Sequence, residues 1–249
     1  MSGHSKWASI KHKKAVVDSR KGKLFTKLAR AVTVAAKEGG GDPDTNARLG
    51  LAVQKAKDAS MPKDNIERAI AKGTGAGADA AALEDVLYEG YGPGGVALLV
   101  EAVTDNRNRT ASEVRHILSK HGGNLGEPGS VAYLFDKKGL VVVDGERYSE
   151  DDLMVAIDAG AEDIALDDGV FEVLCEPADL VAVRAALDGA GIEVETAELS
   201  QLPKVRVPLD EDTATKLMRL IDALEEQDDV DTVHANFDVD AEVLERVAG

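Results

Sequence analysis

A chain of 249 residues exceeds one minimal domain, and 44% hydrophobic with 30% charged residues supplies real cores and a soluble surface. Its single cysteine, Cys175, excludes an internal disulfide and a cysteine-based metal cage. The formal charge of -17 is unevenly placed: residues 1–75 hold 16 Lys/Arg against 7 Asp/Glu, whereas residues 139–249 hold 7 against 30.

A basic front on an acidic chain points to contact with nucleic acid. No apolar run approaches the ~20 residues that span a bilayer. The basic start leads into no apolar stretch of the kind that makes a secretory signal. We expect a retained N-terminus, a cytoplasmic protein and no membrane partner.

From the N-terminus, Asp18 is expected to cap a helix through KGKLFTKLARAVTVAAKE, where Leu24, Leu28, Ala31, Val32 and Ala35 share a face. GGGDPD stops it, and Asp44 or Thr45 opens a second helix carrying Leu49, Ala52, Val53 and Ala56. In SMPKDNIERAIAKGTG, Pro62 suits the first turn of a third helix, Ile66 and Ile70 repeat at i, i+4, and Gly73 marks the stop. The three helices can share one core, and GTGAGADAAA reads as a linker.

The period then changes. GVALLVEAVT reads as a strand, and NRNRTASEVRHILSKHGG as a helix with Thr110 and Glu113 at capping-box spacing. SVAYLFD reads as another strand. GLVVVD, YSEDDLMVAIDAG, EDIALDD, GVFEVLCE, PADLVAVRAALDGAG and IEVETAELS follow as β-α-β-β-α-β, the order of a ferredoxin-like unit. KVRVPLD, EDTATKLMRLIDALEEQ and VDTVHANFDV give β-α-β again.

The expected fold class is therefore α+β: an N-terminal three-helix domain followed by two ferredoxin-like α/β domains, one inserted in the other. The expected boundaries are 1–78 for the basic helical domain and 79–138 plus 200–249 for the discontinuous α/β domain. The acidic insert is expected over 139–199.

Enzyme signatures are missing. His4, His12, His116, His121 and His234 form no H-E-x-x-H pair, there is no G-x-S-x-G elbow, and adjacent acids such as Asp151 and Asp152 lack a complementary group. KGTGAG and YGPGGV match neither phosphate-binding glycine pattern and read as turns. We expect no catalytic residue, metal, cofactor or small-molecule substrate.

The basic front is the candidate site. Lys6, Lys11, Lys13, Lys14, Arg20, Lys21, Lys23, Lys27 and Arg30 are interleaved with Trp7 and His12. Cations track a phosphate backbone by displacing condensed counterions, and an aromatic ring can stack on an exposed base. Phe25, at the start of an apolar helix face, reads as core. Arg107 and Arg109 precede a helix N-terminus, a favourable place for an anion, with ion pairs to Asp105 or Glu113 as the competing use. A helix-turn-helix would expose Lys63, Asn65, Arg68 and Lys72 on the third helix. Its turn, DASMP, has no glycine, and lysine dominance argues for phosphate contact over base reading.

Four long segments, GHSKWASIKHKKAVVDSRKGKLFTKL, SMPKDNIERAIAKGTG, YEGYGPGGVALLVEAVTDNRNRT and GGNLGEPGSVAYLF, together resemble the YebC/PmpR family over nearly the whole chain. The resemblance implies a cytoplasmic bacterial regulator of gene expression with a helical domain and two α/β domains. The family is described as DNA-binding transcriptional regulators. It is also described, through mitochondrial relatives and bacterial members, as translational activators acting on ribosomes stalled at proline-rich sequences. The expected function is thus a non-enzymatic nucleic-acid-binding regulator, foremost of transcription through DNA. The alternatives are a ribosome-associated RNA-binding translation factor and an interaction module for an acidic protein.

Overall fold

The computed structural model describes residues 21–76, 83–167 and 169–240, with Val243 and Arg246. Asp18 and the candidate residues Lys6, Trp7, Lys11, His12, Lys13, Lys14 and Arg20 lie outside the described residues, as does the Lys21 side chain.

Helix α1 is Lys21–Gly39, α2 is Ala47–Asp58 and α3 is Lys63–Ala71. Leu28, Val32, Ala35 and Ala36 of α1 share a core with Leu49, Val53, Ala56, Ile66 and Ala69. A second side of α1 is also covered, because Val34 packs with Leu83 and Val103. The cap of α2 is Asn46, which accepts from the Leu49 N–H at 3.1 Å, rather than Asp44 or Thr45. The buried Asn46 amide also donates to the carbonyls of Ala35 and Gly40, tying this cap to the end of α1. In the turn before α3, Ser60 itself takes a left-handed conformation at φ 60°.

The chain does not stop at Gly73. It widens into a π-type turn over Lys72–Ala76. A Cβ at Gly73 would lie 2.3 Å from the Thr33 carbonyl oxygen and 2.8 Å from the Ala36 Cβ. Gly73→Ala therefore forces α1 and this turn apart, with an expected loss of about 1–3 kcal/mol. Thermal unfolding should show a lower Tm for Gly73→Ala and little change for Gly189→Ala, whose Cβ meets open space.

Strand β1 is Glu84–Tyr91, β2 is Ala97–Thr104, α4 is Arg107–Lys120 and β3 is Asn124–Leu125. Strand β4 is Phe135–Asp144, α5 is Met154–Asp158, β5 is Ala161–Asp167 and β6 is Val170–Cys175. Helix α6 is Leu180–Gly189, β7 is Val194–Pro203 and β8 is Val207–Pro208. Helix α7 is Glu211–Glu225, β9 is Val230–Ala235 and β10 is Phe237–Asp238.

Two compact units result: Asp136–Leu202, and the described residues of Ser2–Phe135 with Pro203–Gly249. The larger unit has a four-stranded sheet ordered β3-β1-β2-β9, so strands from both ends of the chain share one sheet. Leu98 and Val100 of β2 face a core with Val114 and Leu118 of α4 and Leu217, Leu220, Ile221 and Leu224 of α7. On the other face, Ala97 and Leu99 pack with Val131 and Phe135. A strand covered on both faces must be apolar at nearly every position, which is why β2 reads so clearly. The smaller unit runs β4-α5-β5-β6-α6-β7 with sheet order β5-β6-β4-β7, the ferredoxin-like arrangement. Its core includes Val141, Val143, Leu153, Val173, Leu180, Val183 and Leu187. The fold class is as expected, α+β with a helical N-terminal part followed by sheet units.

Several elements depart from expectation. SVAYLFD is not a strand: Ala132–Leu134 form a 3-10 turn, and β4 begins at Phe135 and runs on through GLVVVD. The cause is Glu89 on β1. Its buried carboxylate accepts the backbone N–H groups of Gly129, Val131 and Ala132, the donors a strand ladder would need. Burial raises the Glu89 pKa, but those three bonds outweigh it and hold the carboxyl below the usual range. Strand β1 itself went unread, since a buried glutamate and Gly90 interrupt its alternation. The expected Thr110–Glu113 capping box is absent: Asn106 caps α4 by accepting from the Arg109 N–H at 3.1 Å. KVRVPLD contributes only Val207–Pro208.

Candidate nucleic-acid interface

The described cations of the basic front divide by direction. Lys23 donates to the Glu226 carbonyl at 3.4 Å, Lys27 to the Glu225 carbonyl, and Arg30 to the Asp228 carbonyl at 2.9 Å. Lys23 and Lys27 meet the C-terminal end of α7, where orphan carbonyls and the helix dipole favour positive charge, and Arg30 meets the turn that follows. Lys27 is half-buried at that helix end. Desolvation lowers its pKa more than Asp231 and Asp228 raise it. These side chains thus dock α1 against the sheet unit that contains α7.

Asp229 is the hub of that docking. It is 4% exposed and receives Arg30 at 2.6 Å, Arg109 at 2.7 Å, the Thr110 hydroxyl at 2.8 Å and the Thr104 hydroxyl at 3.2 Å. Burial pushes its carboxyl up. The hydrogen bonds from Arg109, Thr110 and Arg30 outweigh that and leave it below the ordinary aspartate range. Arg109 also holds Asp105 at 2.9 Å, the ion pair that competes with anion binding there. Arg107 stays mostly exposed, with a loose 3.7 Å contact to Glu84. The structure therefore brings Arg30 and Arg109 together around one carboxylate and leaves Arg107 apart at the surface.

A different surface is open. A groove of about 420 Å³ lies between α1 and α3, with Ala29, Thr33, Ala69 and Leu83 among its lining. Phe25 and Arg30 enter it from α1, Asn65 and Arg68 from α3, and Lys72 from the following turn. Among the described residues its lining carries Arg30, Arg68 and Lys72 and no carboxylate, and of these Arg30 is already paired with Asp229. In a chain with 46 Asp/Glu against 29 Lys/Arg, Arg68 and Lys72 thus meet no carboxylate among the groove's described lining, and gathering them there is costly unless an anion neutralises them. Arg68 is exposed, anchored by the Asp64 carbonyl at 3.0 Å and by the Asn65 side-chain oxygen. The Thr33 hydroxyl is spent internally on the carbonyls of Ala29 and Ala69.

Asn65, Arg68 and Lys72 were visible in the sequence as an exposed helix face but stood outside the expected site. Phe25 was assigned to the core, whereas it is half-buried, touching the core and lining the groove. The signal available for them was their i, i+3, i+7 spacing on α3 and its extension past Gly73.

Two family models cover almost all of the chain: the TACO1/YebC protein N-terminal domain over residues 5–76, and the TACO1/YebC second and third domain over residues 83–237. This chain belongs to the TACO1/YebC family.

Among its TACO1/YebC relatives, a protein of Rubrobacter xylanophilus and one of Thermobifida fusca are each 58% identical, with both chains fully covered. One from Persephonella marina is 53% identical over the full length of both. All three are named probable transcriptional regulatory protein. The crystal structure of a conserved hypothetical protein from Aquifex aeolicus matches with a TM-score of 0.85 at 49% identity, covering 94% of this chain and 97% of that one. Among the described residues of this TACO1/YebC chain, no group of three or more His, Cys, Asp or Glu is placed to hold a metal ion. No described helix is long and apolar enough to cross a membrane. Cys175 is buried and its thiol is pushed up to about 11, first by burial and then by Asp179, Glu162 and Glu176, which suppresses thiolate chemistry.

Proposed function

We propose that this protein is a non-enzymatic nucleic-acid-binding regulator of gene expression that acts on transcription through DNA. The observation that carries the reading is the cationic groove between α1 and α3, whose described lining holds no carboxylate, in the basic front of a chain that is acidic as a whole. In the sequence, Lys6, Lys11, Lys13 and Lys14 add further positive charge ahead of α1. Residues 136–202 hold 18 Asp/Glu against 4 Lys/Arg and repel a polyanion, confining it to the basic part of the molecule. The names of the relatives, all probable transcriptional regulatory proteins, favour transcription as the process regulated.

With about 5–8 phosphates contacted, affinity for duplex DNA should fall with salt on a log–log slope of roughly -4 to -7. Fluorescence anisotropy across a salt series measures it. A slope near zero, or no binding at low salt, would end the proposal.

A further inference from the structure

The groove holds more than a phosphate rail requires. Cations alone neutralise a backbone, yet here they surround an aromatic ring, a side-chain amide and an apolar wall of Ala29, Ala69 and Leu83. We infer that this groove receives one unstacked base of a single-stranded nucleic acid, stacked on Phe25, with Arg68 and Lys72 on the flanking phosphates. The inference rests on the nucleic-acid reading above and specifies the form of ligand that this surface takes.

Size agrees with that occupant. A groove of about 420 Å³ falls at the lower end of pockets that hold small organic ligands, and it has room for a nucleobase with part of its sugar. Stacking on an aromatic face is available to every base, because each has a π surface. A base inside a duplex cannot present that surface, being covered on both sides by its neighbours.

Polar complementarity agrees as well. The Arg68 guanidinium engages the Asn65 side-chain oxygen, so the Asn65 amide turns its N–H donors away from Arg68. Those donors suit the ring-nitrogen and carbonyl acceptors on a base edge. The hydroxyls of Thr26 and Thr33 are committed to backbone carbonyls within the helices and to Ala69. Among the described lining residues, Asn65 is thus the neutral side chain that still has N–H donors for a base edge, while Arg68 and Lys72 supply charge.

The test uses the full chain and 12-residue oligonucleotides of one sequence carrying 2-aminopurine at the centre, as single-stranded DNA, single-stranded RNA and duplex DNA. We expect single strands to bind more tightly than the duplex, with a change in 2-aminopurine emission at saturation. The sugar that binds better identifies the source of the strand. Phe25→Leu, which keeps an apolar side chain against the core, should weaken single-strand binding roughly 5- to 100-fold and remove the emission change. Asn65→Ala, which takes no side chain from the apolar core, should weaken it about 3- to 10-fold. Should both variants bind single strands like the parent, or should 2-aminopurine not respond in any strand, the base site does not exist even where duplex binding stands. Failure of the parent chain to bind any of the three would overturn this inference and the underlying reading together.

Discussion

Replacing Asp229 with alanine should cost this protein about 3–5 kcal/mol of stability, read as a lower midpoint in urea unfolding with an unchanged slope. The carboxylate is buried and is shared by Arg30 of α1, Arg109 and Thr110 of α4 and Thr104 of β2. Its removal takes the shared acceptor from two guanidinium groups and two hydroxyls at once, leaving Arg109 with Asp105 and Arg30 with the Asp228 carbonyl. A buried partner lost this way costs more than the pair contributes. The partial exposure of both arginines sets the lower end of that range, since water can recover part of their hydration. A loss under about 1 kcal/mol would show that Asp229 is not the hub described.

The same residue sets an acid dependence. Its folded pKa is depressed, so the folded state binds fewer protons than the unfolded chain and stability rises with pH through this window. The contribution is complete above the unfolded aspartate value, near about 3.9. It is lost as pH falls through the lower folded value. Asp229→Asn should flatten that acid limb.

Reversing Arg68 and Lys72 together to glutamate should reduce nucleic-acid affinity by roughly 30- to 100-fold at low salt and make the salt slope shallower by about 2. Neither side chain is fully buried, so the melting temperature should stay close to that of the parent, in contrast to Asp229→Ala. The two substitutions separate docking from recognition: one breaks the molecule and spares the groove's charge, the other does the reverse. A double reversal that binds like the parent would remove the groove from the interface.

The helices of the N-terminal part were legible because Leu28, Val32 and Ala35, then Val53 and Ala56, then Ile66, recur at the spacing of one buried face. Strand β2 was legible because both its faces are covered. Strand β1 was not, because Glu89 occupies an inward position and finds its partners 40 to 43 residues later. For the same reason SVAYLF resembled a strand: nothing local announces that its N–H groups are already claimed. Lys23, Lys27 and Arg30 looked like free cations because their carbonyl acceptors lie about 200 residues away, at the end of α7 and in the turn after it. Composition located the positive charge correctly, while only tertiary pairing shows which of it is already spent. Phe25 was half legible: its apolar spacing announced the core contact, and no periodicity distinguishes a fully covered ring from one with an open side.

The route of the chain through its two units also dictates an order of events at synthesis. Strand β2 pairs with β9, Leu98 facing Ala235 and Val100 facing Val233. Everything from Asp136 to Leu202 is translated before β9 exists, and that stretch contains all four strands of its own sheet. The insert can close as soon as it emerges, whereas β2 waits with an unpaired edge until β9 is made. Contacts so distant along the chain are slow to form and leave the waiting edge open to wrong partners. The late arrival of α7 and β9 makes residues 211–235 the step on which maturation of the groove-bearing unit turns, because Lys27 and Arg30 find their seats only then.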